Sequence, residues 1–278
     1  MVLVAVGQFC GTAAVSQNLE ACFTLIRRAA HLGSKVLFLP EASDFIAGDP
    51  KDIPRLAQWT DTDFVRPLAN EAAKHDLHIS VGVHEASDTD KVYNTHLIID
   101  SLGNVCAKYR KLHLFDLDQQ PRLVESASTR PGSEVVAPVP TPAGRVGLST
   151  CYDLRFPTLS AELVRQGAQI LTYPSAFTLR TGAAHWEPLL RARAIENQCY
   201  VAAAAQIGKH HPTRSSYGHA MIIDPWGAIV AQCSDITQPS LAIADIDLEY
   251  LAGVRSELPV LRHQRVDLFP WLAKDTSE

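Results

Sequence analysis

No Cys-x-x-C pair occurs in this sequence, and no cysteine and histidine stand at zinc-finger spacing. Its six cysteines, Cys10, Cys22, Cys106, Cys151, Cys199 and Cys233, therefore suggest neither a redox pair nor a structural metal site. Scattered singly, most read as small buried hydrophobes of a reducing compartment. No stretch approaches the roughly 20 apolar residues of a membrane-spanning helix. The apolar start from Met1 to Cys10 lacks a basic segment and is cut by Gln8, so it is not expected to act as a signal peptide. Basic residues are not in excess either: 25 Lys and Arg face 30 Asp and Glu, a net charge of −5. That balance argues against a nucleic-acid partner, whose affinity rests on clustered cations. Low-complexity tracts, linkers and repeats of about 20 to 50 residues are missing as well. The expectation is a soluble, cytoplasmic protein with neither nucleic acid nor membrane as partner; a mitochondrial form from an alternative start stays open.

What is present is apolar surface, 46% of 278 residues and evenly spread, enough to offset chain entropy. One domain over 1–278 is expected, with a core of about 2–268 and a tail of about 269–278. Apolar runs alternate with helical patterns, the signature of an α/β layer protein. Residues 2–6 read as a strand. A helix then follows Ser16 as N-cap, with Leu19, Cys22, Phe23, Ile26, Ala29 and Ala30 inward, and Gly33 closes it. A strand at 36–39, a helix at about 62–75 and strands at 79–83, 93–99 and 105–109 come next. Residues 112–142 hold five prolines and little periodicity, a loop long enough to suggest function. The second half reads as strand 145–150, a helix opened by Pro157, strand 169–173, a helix at about 184–198, and strands 200–205, 218–223, 228–232 and 241–245.

Cys151 ends a strand just ahead of a helix, a turn that lifts a nucleophile out of a sheet edge beside free backbone N–H groups. Burial within regular elements is the expected reading of Cys22, Cys106, Cys199 and Cys233, Cys10 simply follows a strand, and inert packing is the plainer reading of Cys151 too. A thiol needs an activating base, and no histidine here falls in a Cys-His protease pattern. Glu41 emerges from the buried strand at 36–39, where desolvation is expected to raise its pKa and suit it to accept a proton. Taken alone, it is an ordinary strand-end acid. The basic run Lys108-Tyr-Arg-Lys-Leu-His113 reads as a solvated turn, yet a lysine there could stabilise an oxyanion. All three residues follow strands, where open α/β sheets place ligands.

Three segments together carry more. Leu37-Phe-Leu-Pro-Glu41, Tyr109-Arg-Lys-Leu-His-Leu-Phe115 and Cys151-Tyr-Asp-Leu-Arg-Phe-Pro157 resemble, in order, the motifs of the nitrilase superfamily of carbon-nitrogen hydrolases. The likeness spans the chain, from Val4-Ala-Val-Gly-Gln8 to Arg262-His-Gln-Arg-Val-Asp-Leu268. It implies a four-layer α-β-β-α sandwich that forms a homodimer through helices. It implies Cys151 as nucleophile, Glu41 as general base and later acid, and Lys111 with the Tyr152 backbone N–H as oxyanion stabilisers. Glu125, in Glu125-Ser-Ala-Ser-Thr-Arg-Pro-Gly132, would position Lys111 and the substrate. Neither a metal nor an organic cofactor is implied.

Within the superfamily the sequence is most similar to the Nit subgroup and its deaminated glutathione amidases. Segments such as Leu171-Thr-Tyr-Pro-Ser-Ala-Phe177 and Ala204-Ala-Gln-Ile-Gly-Lys-His-His211 carry this likeness. The implied reaction is hydrolysis of N-(4-oxoglutaryl)-cysteinylglycine to 2-oxoglutarate and cysteinylglycine. Two alternatives stay open: an ω-amidase acting on 2-oxoglutaramate, and an idle dimeric binding protein. A substrate with two carboxylates requires local cations despite the net −5. Arg155 is one candidate, with a salt bridge at a helix start as its other reading; Ser175, Phe177 and His185 are candidates to line the pocket. Arg180, Lys209 and Arg214 read first as surface cations, with the cysteinylglycine end as their other possible role.

Overall fold

A computed structural model describes residues 1–57, 63–117 and 123–269. The expected tail at about 269–278, apart from Phe269, and the expected start of the second helix at Thr62 lie outside the described residues.

The first strand, Val2–Phe9, shows how the layers arise. Its side chains alternate across the sheet. Ala5 joins a core with Cys22, Leu25, Ile26 and Ala29 of the helix Val15–His31 and Leu68 and Ala72 of the helix Val65–His75. Val4 and Val6 join a second core with Val146, Leu148 and Ile170 of the other sheet. The strand Val36–Phe38 and its neighbour Leu39 repeat the split: Leu37 and Leu39 face the helices, Val36 and Phe38 the second sheet. Leu163 of the helix Pro157–Arg165 and Trp186 and Leu190 of the helix Leu179–Asn197 close the second core from outside. The order is helices, sheet, sheet, helices, the α-β-β-α sandwich.

Val2–Phe9 pairs in parallel with Val36–Phe38, which pairs in parallel with His78–Glu85. Val92–Ile99 then runs antiparallel to His78–Glu85, and Val105–Arg110 antiparallel to Val92–Ile99. Two reversals restore direction, so the chain leaves Phe38 and Arg110 at the same end of the sheet. In the second sheet Gly144–Leu148 and Ile170–Thr172 run parallel. Residues 41, 111, 151 and 176 thus follow the C-terminal ends of strands.

Several expectations are revised. Ser16 lies inside its helix, and Ala14 is the cap residue. Thr12 Oγ1 accepts from Ala14 N, and Asn18 binds back to Thr12 and across to Asp44 O, fixing the helix beside the segment that carries Glu41. The helix expected at about 184–198 starts at Leu179, with Thr178 Oγ1 accepting from Thr181 N. A hairpin not expected from the sequence, Ala205–His211 with Arg214–Tyr217, joins the first sheet, and a helix, Leu248–Glu257, follows the last strand. The described residues of the irregular stretch 112–142 contain short strands and a 3-10 turn, Glu125–Ala127, rather than open loop throughout.

Candidate active site

Cys151 opens a 3-10 turn, Cys151–Arg155, with a left-handed backbone (φ 48). Its N–H donates to Pro174 O at 3.1 Å, which ties it to the end of the neighbouring strand. Tyr152 is the next residue of a helix start, where an N–H has no acceptor within the helix and is free to face a ligand.

Glu41 and Lys111 meet this thiol in one pocket of about 390 Å³. Lys111 is 2% exposed and donates to Glu41 Oε1 at 3.0 Å and to Glu125 Oε2 at 2.8 Å. Asn94 Nδ2 bridges the same two carboxylates, at 2.7 Å from Glu41 and 3.0 Å from Glu125. Backbone donors complete the set: Ala176 N reaches Glu41 Oε2 at 2.9 Å, and Phe115 N reaches Glu125 Oε2 at 2.7 Å. Glu125 thus sits against Lys111, and the loop that carries it is held by Gly132 N donating to Lys111 O at 2.8 Å.

Electrostatics here differ from the sequence expectation in one respect. Burial pushes the Glu41 carboxyl upward, but the Lys111 charge and hydrogen bonds from Cys151, Asn94 and Lys111 outweigh it, leaving Glu41 below the usual carboxylate range. Burial and the facing Glu41 charge push the Cys151 thiol up, against a smaller opposing pull from Lys111. Burial favours a neutral Lys111, yet the Glu125 and Glu41 carboxylates win and hold it charged. The resting arrangement is a thiol hydrogen-bonded to a carboxylate base, beside an ammonium.

The turn itself hangs on a residue not singled out in the sequence. Asp153 is fully buried and accepts from Tyr109 OH at 2.6 Å, His113 Nδ1 at 2.7 Å, His113 N at 3.1 Å and Thr150 N at 2.9 Å. It ties the residues on either side of Lys111 to the turn that carries Cys151. Asn94 was also missed, although Asn94-Thr95-His96, three buried polar residues within an apolar strand, is a legible signal.

The other candidates separate. Arg155 and Phe177 line the pocket, the Arg155 guanidinium lying 5.8 Å from the Phe177 ring centroid. Arg155 makes no salt bridge among the described residues; its Nη2 lies 3.2 Å from His185 Nδ1. His185 is exposed and outside the pocket wall, and so supports Arg155 rather than lining the pocket. Ser175 is a correction: it is fully buried, its hydroxyl donates to Tyr173 O, and its neighbour Ala176 is the one that faces the pocket. Arg180 and Lys209 are exposed surface cations, whereas Arg214 lines the pocket.

Comparison with known proteins agrees with this geometry. The carbon-nitrogen hydrolase family profile matches residues 3–256. The chain is 51% identical over 274 residues to the deaminated glutathione amidase of Bos taurus, covering 96% of this chain and 83% of that one. Among solved structures, the NitFhit protein of C. elegans superposes with a TM-score of 0.92 at 48% identity, covering 96% of this chain and 66% of that longer fusion. Nit3 of Saccharomyces cerevisiae, a member of the nitrilase superfamily, superposes with a TM-score of 0.83 at 30% identity over 95% of this chain and 96% of that one. The chain belongs to the carbon-nitrogen hydrolase family.

Proposed function

We propose that this carbon-nitrogen hydrolase is an amidase that cleaves deaminated glutathione, N-(4-oxoglutaryl)-L-cysteinylglycine, into 2-oxoglutarate and cysteinylglycine. The observation that carries this reading is the convergence of the Cys151 thiol, the Glu41 carboxylate and the Lys111 ammonium in one pocket, in a chain 51% identical to a protein of that name.

The proton inventory sets the order of events. As Cys151 sulfur attacks the amide carbon, its proton passes to Glu41, which already accepts its hydrogen bond. The carbonyl oxygen becomes an oxyanion between Lys111 Nζ and the Tyr152 N–H. Glu41 then delivers the proton to the amide nitrogen, the C–N bond breaks and cysteinylglycine leaves, with the acyl group held as a thioester. A water gives a proton to Glu41 and its oxygen attacks the thioester carbon; collapse expels the sulfur, which recovers the proton from Glu41. Glu125 and Asn94 keep the base and the ammonium from drifting apart. Arg155, without a carboxylate partner among the described residues, binds a substrate carboxylate.

A substrate panel on wild type and Cys151→Ala tests this. Deaminated glutathione should be the preferred substrate, with turnover abolished in the variant. A higher kcat/KM for 2-oxoglutaramate would transfer the assignment to an ω-amidase, and turnover surviving in Cys151→Ala would refute the mechanism.

The same reading includes a homodimer. Ile195, Trp226 and Tyr250 are 49%, 56% and 43% exposed and neighbour one another: a Cβ at Gly227 would touch Ile195, and Tyr250 bonds Asp224. An exposed apolar cluster of this kind supports a contact with a second copy there. Light scattering should give twice the 30.4 kDa chain mass, and Trp226→Asp a monomer.

A further inference from the structure

Cleavage of this amide yields two fragments, each ending in a carboxylate. An anion-binding group is therefore needed on both sides of the attacked carbon, and Arg155 supplies one. Among the described residues the carboxylates on the pocket wall are Glu41 and Glu125, and Lys111 engages both. The wall carries a second guanidinium, Arg214, which has no carboxylate partner among the described residues.

Arg214 stands at the tip of the hairpin formed by Ala205–His211 and Arg214–Tyr217, where His211 pairs with Arg214 across a two-residue turn. His211 and Thr213 of the same tip also line the pocket. One of its donors, Nη2, is spent on Ala176 O at 3.1 Å. Ala176 N in turn holds Glu41 Oε2 at 2.9 Å, so the guanidinium is fixed relative to the base through a single residue. The remaining donors of the planar fork are available for a bidentate carboxylate. The hairpin is also firmly seated: Tyr217 N donates to Phe177 O at 2.9 Å, and the Tyr217 ring lies so close to Gly182 that a Cβ there would come within 2.2 Å of it. From the attacked carbon to the terminal carboxylate of a dipeptide is about 7 Å of extended chain, a span that fits a pocket of about 390 Å³.

We propose that Arg214, with His211 and Thr213, forms a subsite for the terminal carboxylate of the leaving dipeptide. This rests on the function proposed above and adds to it the specificity for the amine side. Small ω-amides have no leaving-group carboxylate and gain nothing from the subsite.

The test compares deaminated glutathione with its C-terminal carboxamide, which differs only in the group Arg214 would bind. Wild type should favour the free acid about 10- to 100-fold in kcat/KM, the range of a charge-assisted hydrogen bond. In Arg214→Ala the ratio should fall to near one, and in Arg214→Lys it should lie between. Because the readout is a ratio within each protein, a general loss of folding or chemistry leaves it unchanged. A wild-type ratio near one, or a ratio preserved in Arg214→Ala, overturns the subsite while leaving the proposed function intact. Failure of wild type to hydrolyse the free acid at all overturns both.

Discussion

Gly82 faces Glu41 at a separation that no other residue tolerates. A Cβ at position 82 would stand 2.7 Å from Glu41 Cα, 3.0 Å from Pro40 O and 3.3 Å from Glu41 N. All three are backbone atoms, so no side-chain rotation relieves the clash. The two segments are also tied together, Gly82 N donating to Pro40 O at 3.1 Å and Ser43 N to Gly82 O at 2.8 Å. Ordinary contact begins at 3.4 Å, so in Gly82→Ala the segment carrying Glu41 must withdraw by about 0.7 Å.

Glu41 holds its partners at 2.7 to 3.0 Å, and such a withdrawal takes those bonds to the edge of hydrogen-bonding range. A misplacement of about 1 Å costs on the order of 100-fold in rate. We therefore expect kcat for deaminated glutathione to fall about 10- to 100-fold in Gly82→Ala, with KM little changed because Arg155 and Arg214 stay in place. Overpacking of this kind also costs about 1 to 3 kcal/mol of stability, a thermal shift of several degrees. Gly253→Ala is the control: its Cβ meets open space, and alanine favours a helix interior. A folded Gly82→Ala enzyme with wild-type kcat would refute the idea that close backbone approach sets the position of the base.

Asp153→Asn, which turns one acceptor oxygen of the buried hub into a donor, should lower kcat by about 10-fold or more with little effect on KM; unchanged kcat in a less stable protein would limit Asp153 to a role in the fold. Because the surroundings of Glu41 hold it below its ordinary value of 4.5, the acidic limb of the kcat/KM profile should lie below that pH, and Asn94→Ala should move it up; a wild-type limb near 6 would contradict the assignment of the base. Burial holds the His96 imidazole down to about 4 from 6.5, so the unfolded chain binds the extra proton and stability should drop by about 3 kcal/mol as pH falls through that window. Denaturant titrations of wild type and His96→Asn should diverge by that amount; parallel pH curves would remove His96 as the cause. In Glu125→Gln, kcat should fall about 10-fold or more, since Lys111 loses the carboxylate that holds its ammonium in place; an unchanged kcat would sink that view.

Residues that end apolar strands were legible, because the break from apolar run to Glu41, Lys111 or Cys151 is itself a pattern. Arg214 was legible only as a second reading behind a surface cation, for a physical reason. Its strand, Arg214–Tyr217, pairs with Ala205–His211, which is interrupted by Gly208 at φ 82 and by a register shift between Lys209 and His211, so the hairpin does not keep a simple alternation of side chains. Ser175 misled in the opposite direction. It ends a strand as Glu41 does, but its hydroxyl turns back to Tyr173 O and the functional group at that strand end is the backbone N–H of Ala176. A main-chain donor leaves no trace in residue identity. The pKa of Glu41 was misjudged because burial could be read from its strand, whereas the Asn94 and Lys111 contacts that overcome it depend on chain folded from residues 53 and 70 positions away.

That excess of compensation explains why one lysine is shared by two carboxylates. If Lys111 faced Glu41 alone, the buried pair would be neutral and closed, and proton transfer to Glu41 would strand an ammonium in a dry site. With Glu125 accepting at 2.8 and 3.1 Å, the ammonium keeps a counter-charge throughout. When sulfur attacks, Glu41 loses its charge to the proton and the substrate oxygen gains one, so negative charge is relocated around Lys111 and none is newly created. The cluster's total is the same before and after, and the cost of burying it is met once, on folding. The site therefore stabilises the tetrahedral state without reorganising, which is the condition under which fixed donors contribute most to rate.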